Sequence, residues 1–430
     1  MPRARGANGI VTGAFSTTVY GAIPTTGFRK LPFVSIDLGD EQDLLDSDVL
    51  GFGRDPQEAG DDIIKNEGTV VVPVDLRNFG FWLRMLLGNP VTTAGIAASG
   101  SMTFTALPVT LSTLTVNGIV ITLTTGAPTA GQVRIAATIA ETVANLVAFL
   151  NASADALLTP ASYAANLAGD AVVITHRTPG TAGNSFTLAK GTTPNPNCNL
   201  SAATLTGGAA TGAFNHVFTG GALTHPDAAV EMGFPDVPHY GMNYGVMADS
   251  LSIQMQRSGL LNASIGLIAQ GENTAATTAS GTLVADWAIE RFSQFAGVVE
   301  QDGVPLGLVE SAALRIGNNL DKDESIRSDG RIGGADPAML SVGVDLTVRF
   351  ADRVLFDRAT ARTPIAVRLG WQISALKRLD FIMERVRLPR RKAPLTGPGG
   401  VRVTFQLKPT ENAATQRTVR AVLVNDIASY

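Results

Sequence analysis

The sequence predicts a mainly β protein of the α+β class, with two tandem β-sandwich or barrel domains, flanking helices and a small inserted α+β domain. The clearest sign is MLSVGVDLTVRF at residues 339–350, where apolar and polar residues alternate over five repeats. This period of two is typical of a long, half-buried antiparallel strand. A similar order of strands and a helix occurs twice along the chain, and a segment of different composition interrupts the first copy.

The second copy centres on the alternating strand and the helix that follows it. Asp352 can cap the first turn of this helix, and Pro364 stands just beyond its end. The elements predicted for this copy are, in order, a strand at 306–317, a strand at 340–350, a helix at 351–362, and strands at 379–388 and 401–408.

The first copy has a similar order, with Asp75 as a cap for its helix and Gly88 as its end. Ser258 and Gly259 supply the turn of a long hairpin. The predicted elements are, in order, an extended arm at 1–30, a strand at 31–38, an acidic loop at 39–62, a strand at 68–74, a helix at 76–87, a hairpin at 250–271 and a short helix at 286–295.

Residues 91–212 are rich in Ala, Thr, Gly and Ser and contain only six charged residues. Within them, Asn117 and Gly118 predict a tight hairpin turn, and residues 138–153 have the spacing of a helix. Strands follow at 171–176 and 185–191. We therefore expect an independent surface domain, inserted where the fold tolerates it and dispensable for assembly.

These observations predict four parts with defined bounds. Residues 1–30 form an N-terminal arm, and residues 31–90 and 213–300 form a discontinuous first domain. Residues 91–212 form the inserted surface domain, and residues 301–430 form the second domain.

Composition excludes several classes of protein. The formal net charge of −4 argues against a basic protein that coats nucleic acid. A single cysteine, Cys198, excludes an intrachain disulfide and a cysteine-rich metal site. The N-terminus has no apolar segment typical of a signal peptide, and no apolar run has the length of a membrane span. We expect a soluble protein made inside the cell, with no membrane partner.

No sequence motif indicates catalysis or a cofactor. His216, His225 and His239 lie close together in the sequence, but without paired acidic spacing, so we interpret them as structural or surface residues rather than metal ligands. A carbohydrate-active enzyme would need paired acids beside aromatic platforms, whereas the three tryptophans are scattered. We predict that the protein is not an enzyme and has no catalytic, cofactor-binding or metal-binding residues.

Two clusters of opposite charge stand out in long loops. The acidic one is a solvated loop, an interface patch or a cation site, and it contains Asp40, Glu41, Asp43, Asp46 and Asp48. The basic one contacts nucleic acid or a partner, forms a solvated loop, or meets the acidic loop of a neighbouring copy, and it contains Arg385, Arg387, Arg390, Arg391 and Lys392. We favour the last interpretation.

Six collinear segments resemble the tail tube, or major tail, proteins of long-tailed bacteriophages. They are GFGRDPQ (51–57), GTVVVPVD (68–75), FWLRMLLGNP (81–90), SLSIQMQRSGLLNASIGLIAQGE (250–272), LRIGNNLDKDESI (314–326) and LTGPGGVRVTFQL (395–407). The resemblance covers nearly all of residues 30–426 outside the insertion. The insertion itself departs from the family pattern.

The resemblance implies a double-domain chain that forms homotrimeric rings of pseudo-sixfold symmetry. Stacked rings would make a conduit for DNA ejection in the virion tail, assembled in the host cytoplasm. The implied partners are other copies, the tape measure protein, passing double-stranded DNA and tail-end proteins. The alternative is another structural module of a phage tail or contractile system, such as a terminator, hub or inner tube.

Two sets of residues are expected to carry this role. The polar faces of the long strands would line the lumen, and the candidates are Ser252, Gln254, Gln256, Ser264, Asp345, Thr347, Thr404 and Gln406. The charged loops would stack successive rings, and the candidates are Asp40, Glu41, Asp43, Arg385, Arg387, Arg390, Arg391 and Lys392.

Overall fold

The computed structural model describes residues 3–50, 54–55, 57–374, 376–395 and 399–430. Before the insertion, the elements are β1 (Ile10–Phe15), β2 (Arg29–Lys30), β3 (Ser35–Ile36), β4 (Asp40–Leu45), β5 (Gly60–Pro73) and helix α1 (Phe79–Leu87). The next elements are β6 (Val91–Ile96), β7 (Ser99–Phe104), β8 (Thr113–Val116), β9 (Ile119–Thr124), β10 (Gln132–Arg134), helix α2 (Ile139–Ala152), β11 (Ala161–Ala165), β12 (Ala171–His176), β13 (Leu188–Lys190) and β14 (Cys198–Leu200).

The strands after the insertion are β15 (Ala209–Thr219), β16 (Ala228–Phe234), β17 (His239–Met255), β18 (Asn262–Ala269), β19 (Gly271–Ala275), β20 (Gly297–Gln301), β21 (Val304–Pro305), β22 (Val309–Gly317), β23 (Asp321–Lys322), β24 (Ala335–Asp336) and β25 (Ser341–Arg349). The chain ends with helix α3 (Val354–Ala361), β26 (Ile365–Ser374), β27 (Lys377–Arg387), β28 (Arg402–Pro409) and β29 (Arg420–Asn425). The predicted mainly β fold class is confirmed.

One antiparallel sheet runs through both halves of the chain, and we call it the main sheet. Its strand order is β5–β18–β17–β22–β25–β28, with β3 and β4 paired to the outer side of β5. The two halves join where β17 pairs with β22 over six residue pairs. The alternating segment 339–350 forms β25, in the interior of this sheet.

The strand pairings repeat between the halves. In the first half β4 pairs with β5, β5 with β18, and β18 with β17. In the second half β22 pairs with β25, β25 with β28, and β28 with β27. A helix follows β5 and another follows β25. Matching pairings therefore accompany the matching element order that the sequence suggested.

The core lies on one side of the main sheet. It contains the inward residues of the main sheet, helices α1 and α3, and side chains from the other two sheets built on this framework. Those sheets have the orders β2–β1–β16–β17–β19 and β6–β15–β29–β27–β26–β20–β21. Phe356 of α3 packs edge-on against Phe405 of β28, with ring centroids 5.4 Å apart. Burial of this apolar face fixes the strand register, because a one-residue slip would turn it to solvent.

Both predicted caps contact their helices, although the helices begin later than expected. The buried Asp75 carboxylate accepts hydrogen bonds from the backbone amides of Asn78 at 2.5 Å and of Phe79, the first residue of α1, at 3.3 Å. Burial raises the pKa of Asp75, and these hydrogen bonds oppose that shift. Asp352 accepts from the amide of Val354 at 3.0 Å.

Several expectations for the first half are wrong. The strand predicted at 31–38 is only the two-residue β3, and residues 10–15 of the predicted arm form β1, which pairs with both β2 and β16. Residues 286–290 are not helical, and the segment continues as an extended strap to a 3-10 turn at Gln294–Ala296. Phe292 donates to the carbonyl of Val74 and accepts from the amide of Leu261, so tertiary backbone bonds replace those of a short helix. The acidic loop is shorter than predicted, because residues 40–45 belong to β4 and residues 60–62 to β5, and the two strands pair as a hairpin.

The insertion has its own core. Residues between 98 and 205 form a separate apolar cluster with two four-stranded sheets, β10–β9–β8–β13 and β11–β12–β7–β14, and helix α2. Asn117 and Gly118 have φ of 47° and 87°, as the predicted tight turn requires. The segment leaves and rejoins the fold through β6 and β15, which pair side by side with Ile96 opposite Ala209. The domain bounds at 90 and 213 stay predictions.

The buried His216 lies on β15, at the point where the insertion joins the rest of the fold. Its Nδ1 accepts from the Thr92 hydroxyl at 2.8 Å, and its Nε2 donates to the Ile427 carbonyl at 2.8 Å. Burial lowers the pKa of His216, although its hydrogen bonds partly oppose this shift. Folding therefore favours the neutral imidazole over the protonated one.

We predict that acid destabilises the protomer partly through His216. The unfolded chain takes up a proton near the ordinary histidine pKa of about 6.5, whereas the folded chain does so only at lower pH. Stability is therefore fully present above about pH 6.5 and falls below it, by at most about 1.4 kcal/mol per pH unit for one histidine. Urea unfolding of the parent and His216→Gln at about pH 8 and about pH 5.5 measures this, and the variant should lose less stability on acidification. Equal losses would contradict the assignment.

We also predict that the insertion can be removed. Replacing residues 97–208 with Asn-Gly would join Ile96 to Ala209 by a two-residue hairpin turn that suits their antiparallel pairing. The shortened chain should fold and assemble, as judged by circular dichroism and electron microscopy. A shortened chain that folds but never assembles would mean that the insertion belongs to the assembly.

Candidate functional site

The eight lumen candidates share the side of the main sheet that faces away from the core. Seven lie on its strands, and Gln256 directly follows β17. Leu251, Ile253 and Met255 alternate with them on β17 and are buried. We call this exposed side the polar face.

The polar face is continuous across the seam between the two halves. One cross-strand row contains Gln254, Ala313, Asp345 and Gln406 on four successive strands. Thr347 and Thr404 are also opposite each other, and their hydroxyls are 2.9 Å apart, within hydrogen-bond distance. Short neutral side chains thus form much of this surface.

Three arginines of the polar face pair with its carboxylates, whereas Lys408 of β28 has no ion pair among the described residues. Arg315 contacts Asp345 at 2.6 Å, and Glu310 contacts Arg402 at 2.5 Å and Arg349 at 3.4 Å. The hydrogen bond from Arg402 lowers the pKa of the Glu310 carboxyl. The sequence reasoning missed Arg315 and Glu310, although the alternation of Arg315 with buried Leu314 and Ile316 was a usable signal.

The main sheet has two edges among the described residues. At one side, the outer edge of β28 pairs only near its C-terminal end, with β27 at Lys408 and Pro409. At the other side, β4 pairs with β5 along one edge only. These edges carry backbone groups for which the described part of the chain provides no strand partner.

The acidic candidates lie on a projecting hairpin, residues 40–66, which we call the acidic arm. Residues 41–50 contain four carboxylates and no Lys or Arg. Glu41 and Asp43 are exposed, whereas Asp40 is at the base of the arm. Residues 51–53 and 56 of the predicted acidic loop lie outside the described residues.

The base of the arm is held by the 318–340 loop of the second half. Arg331 donates to both carboxylate oxygens of Asp40, at 2.9 and 2.5 Å. This hydrogen bond raises the pKa of Arg331. The amide of Ile64 donates to the carbonyl of Gly330 at 3.0 Å, and Lys322 pairs with Glu67.

The basic candidates lie beside β28 rather than on a free tip. Arg387 donates to the Arg362 carbonyl at 2.6 Å and Arg390 to the Thr360 carbonyl at 3.2 Å, so both bind the C-terminal end of α3. Arg391 donates to the side chain of Gln406 on the polar face. Arg385 belongs to β27, and Lys392 is exposed. Contact between this run and an acidic arm stays a prediction.

A groove of about 830 Å³ lies at the end of the main sheet opposite the arm. It is lined by the ends of β17, β22, β25 and β28 and by the segment around Phe295. Arg257, Arg349 and Arg402 contribute its positive charge. The sequence reasoning did not identify this groove, because its residues come from distant parts of the chain.

The described residues contain no group of three or more His, Cys, Asp or Glu side chains able to hold a metal ion. Their helices include none long and apolar enough to cross a membrane. The surfaces described above offer backbone pairing at strand edges, apolar contact and ion pairing.

A comparison with protein families gives a match over nearly the whole chain. The family model described as phage tail tube protein matches residues 6–409. The match spans the main sheet, the acidic arm and the insertion. No curated protein matches the chain.

We predict that Arg331→Ala loosens the acidic arm. It leaves the partly buried Asp40 without its charged partner, which should lower the free energy of unfolding by about 1–3 kcal/mol. Arg353→Ala is the control, because its pair with Asp357 is exposed and should contribute below about 1 kcal/mol. Urea unfolding, with hydrogen exchange of residues 40–45, measures both effects. Equal losses in the two variants would contradict the anchoring role.

Proposed function

This chain belongs to the phage tail tube protein family, and we propose that it self-assembles into stacked rings that form a conduit for DNA ejection. The family gives the chain a structural role in the virion tail. Ring formation, the inner surface and the contacts between rings are the parts that we infer from physical features of the chain.

The observation that carries the proposal is the main sheet with its two edges. Exposed edges favour pairing with another chain, and closure of a sheet into a barrel removes them. A head-to-tail arrangement, with β28 or β27 of one copy beside β3 or β4 of the next, closes into a ring when the rotation fits. The internal seam between β17 and β22 supports this arrangement, since it already joins one repeat to the next.

The repeated pairings support a homotrimer. Two matching repeats per chain give six repeats in a ring of three copies, with pseudo-sixfold symmetry. The six repeats would then meet at three seams within chains and three between chains. The ring would bury the edges of every main sheet.

The polar face suits an inner wall. Double-stranded DNA carries a dense array of phosphates, and free Lys and Arg side chains would bind it in a salt-dependent way. On this face, Arg315, Arg349 and Arg402 are held by Asp345 and Glu310. Neutral side chains such as Gln254 and Thr404 would let DNA pass without strong binding. The tape measure protein would occupy the same space before the DNA.

The insertion suits the outer surface. It leaves from β6 and β15, which belong to a different sheet from the polar face. Tail-end proteins would meet the terminal rings, and assembly would take place in the host cytoplasm. None of these contacts requires a cofactor or a membrane.

The first test is microscopy of the purified protein. We predict rings or tubes with a central hole in negative stain at high protein concentration. A protein that stays monomeric at every concentration and salt level would overturn the proposal.

The second test measures whether a bulky thiol reagent can reach the polar face before and after assembly. In a Gln254→Cys variant, a large polyethylene glycol maleimide should modify the protomer but not the assembled tube, because the lumen excludes it. Thr129→Cys, on the exposed surface of the insertion, should react in both states. The buried Cys198 should react slowly throughout. Unchanged labelling of Gln254→Cys in tubes would exclude this face from the lumen.

A further inference from the structure

The acidic arm and the groove lie at opposite ends of the main sheet, on different strands: β4 and β5 form the arm, and β17, β22, β25 and β28 end at the groove. At one end of the main sheet, the arm extends beyond Asn66 of β5. The cross-strand pair of Arg349 and Arg402 lies at the other end. The six residues of β5 beyond Asn66 extend the hairpin by roughly 20 Å at about 3.3 Å per residue. In a stack of rings, the arm of one copy therefore points toward the groove end of a copy in the next ring.

The arm carries apolar side chains that its own protomer does not cover. Leu44, Leu45, Val49, Leu50 and Ile63 are between 51 and 90% exposed. They lie among the carboxylates of Glu41, Asp43, Asp46 and Asp48. Such an exposed cluster of apolar residues, rimmed by charge, is typical of a protein contact surface.

The groove has the complementary composition. Phe295 is 84% exposed and Leu308 54% exposed, so it offers apolar surface to a partner. Its cations Arg257, Arg349 and Arg402 outnumber its one carboxylate, Glu310. An arm that is apolar and acidic therefore fits a groove that is apolar and basic.

We propose that the acidic arm of one copy docks in this groove of a second copy in the adjacent ring, and that this contact stacks the rings. The inference rests on the proposed function, since it assumes rings. It assigns the acceptor to the groove rather than to the basic run at 385–392.

The location of the basic run argues against it as the acceptor. Arg387 is paired beside Lys408, toward the arm end of the main sheet, and the run continues along the side of β28. Two of its arginines already bind the end of α3. Stacking needs surfaces at opposite ends of the protomer, and the arm and the groove meet that requirement.

Cysteine cross-linking tests the contact directly. Leu50→Cys and Phe295→Cys in one chain should yield, in assembled tubes treated with a short bismaleimide, a ladder of covalent multimers. The matched control, Leu50→Cys with Arg391→Cys, should give no ladder. A ladder only in the control would assign stacking to the basic run and overturn the proposal.

Charge reversal gives an independent readout. Arg257→Glu should raise the protein concentration needed for tube formation several-fold, and adding Asp46→Lys and Asp48→Lys should restore it. Arg391→Glu with Lys392→Glu should have a smaller effect. If the groove variant assembles like the parent while the basic-run variant does not, the groove is not the acceptor.

The two levels of failure are distinguishable. If the unmodified protein forms no rings or tubes, the proposed function fails. If tubes form but the Leu50–Phe295 pair never cross-links, only the docking inference fails.

Discussion

Unpaired backbone groups at the edges of the main sheet are the constraint on which the rest of the structure depends. Within the chain, β17 and β22 meet at the seam and satisfy each other's edges. The outermost strands, β4 and β28, have no equivalent neighbour among the described residues. A sheet of this length with free edges is a template for pairing with another chain, and a closed ring satisfies it without open-ended growth around the axis.

The two faces of the main sheet have different roles. One face packs on α1, α3 and the other two sheets, and this burial fixes the register of every strand. The opposite face is free to carry neutral side chains and internally paired charges. The proposed contact along the axis would use the ends of the strands, where the acidic arm and the groove lie. Glu310, Arg349 and Arg402 belong both to the polar face and to the groove, so the inner wall and the stacking surface would meet there.

Much of this sheet could be predicted from the sequence. In a half-buried strand, apolar side chains that face the core alternate with polar side chains that face solvent. The alternation around Leu346 and Phe405 identified both the strands and the polar face. Features determined by distant segments could not be found in this way. The strap around Phe292 is extended because Val74 and Leu261 bind its backbone, and the groove combines segments that are far apart in the chain. The sequence predicted Arg387 and Arg390 on a free basic loop. In the structure they donate hydrogen bonds to carbonyls at the end of α3.

Hydrogen exchange of β28 tests the central claim most directly. In the protomer, the backbone amides of residues 402–407 that point away from β25 should exchange quickly, because that edge of the described chain pairs only at Lys408 and Pro409. In the assembled state, the same amides should become strongly protected, together with those on the outer edge of β3 or β4. Assembled particles in which β28 exchanges as fast as in the protomer would contradict edge-to-edge ring closure.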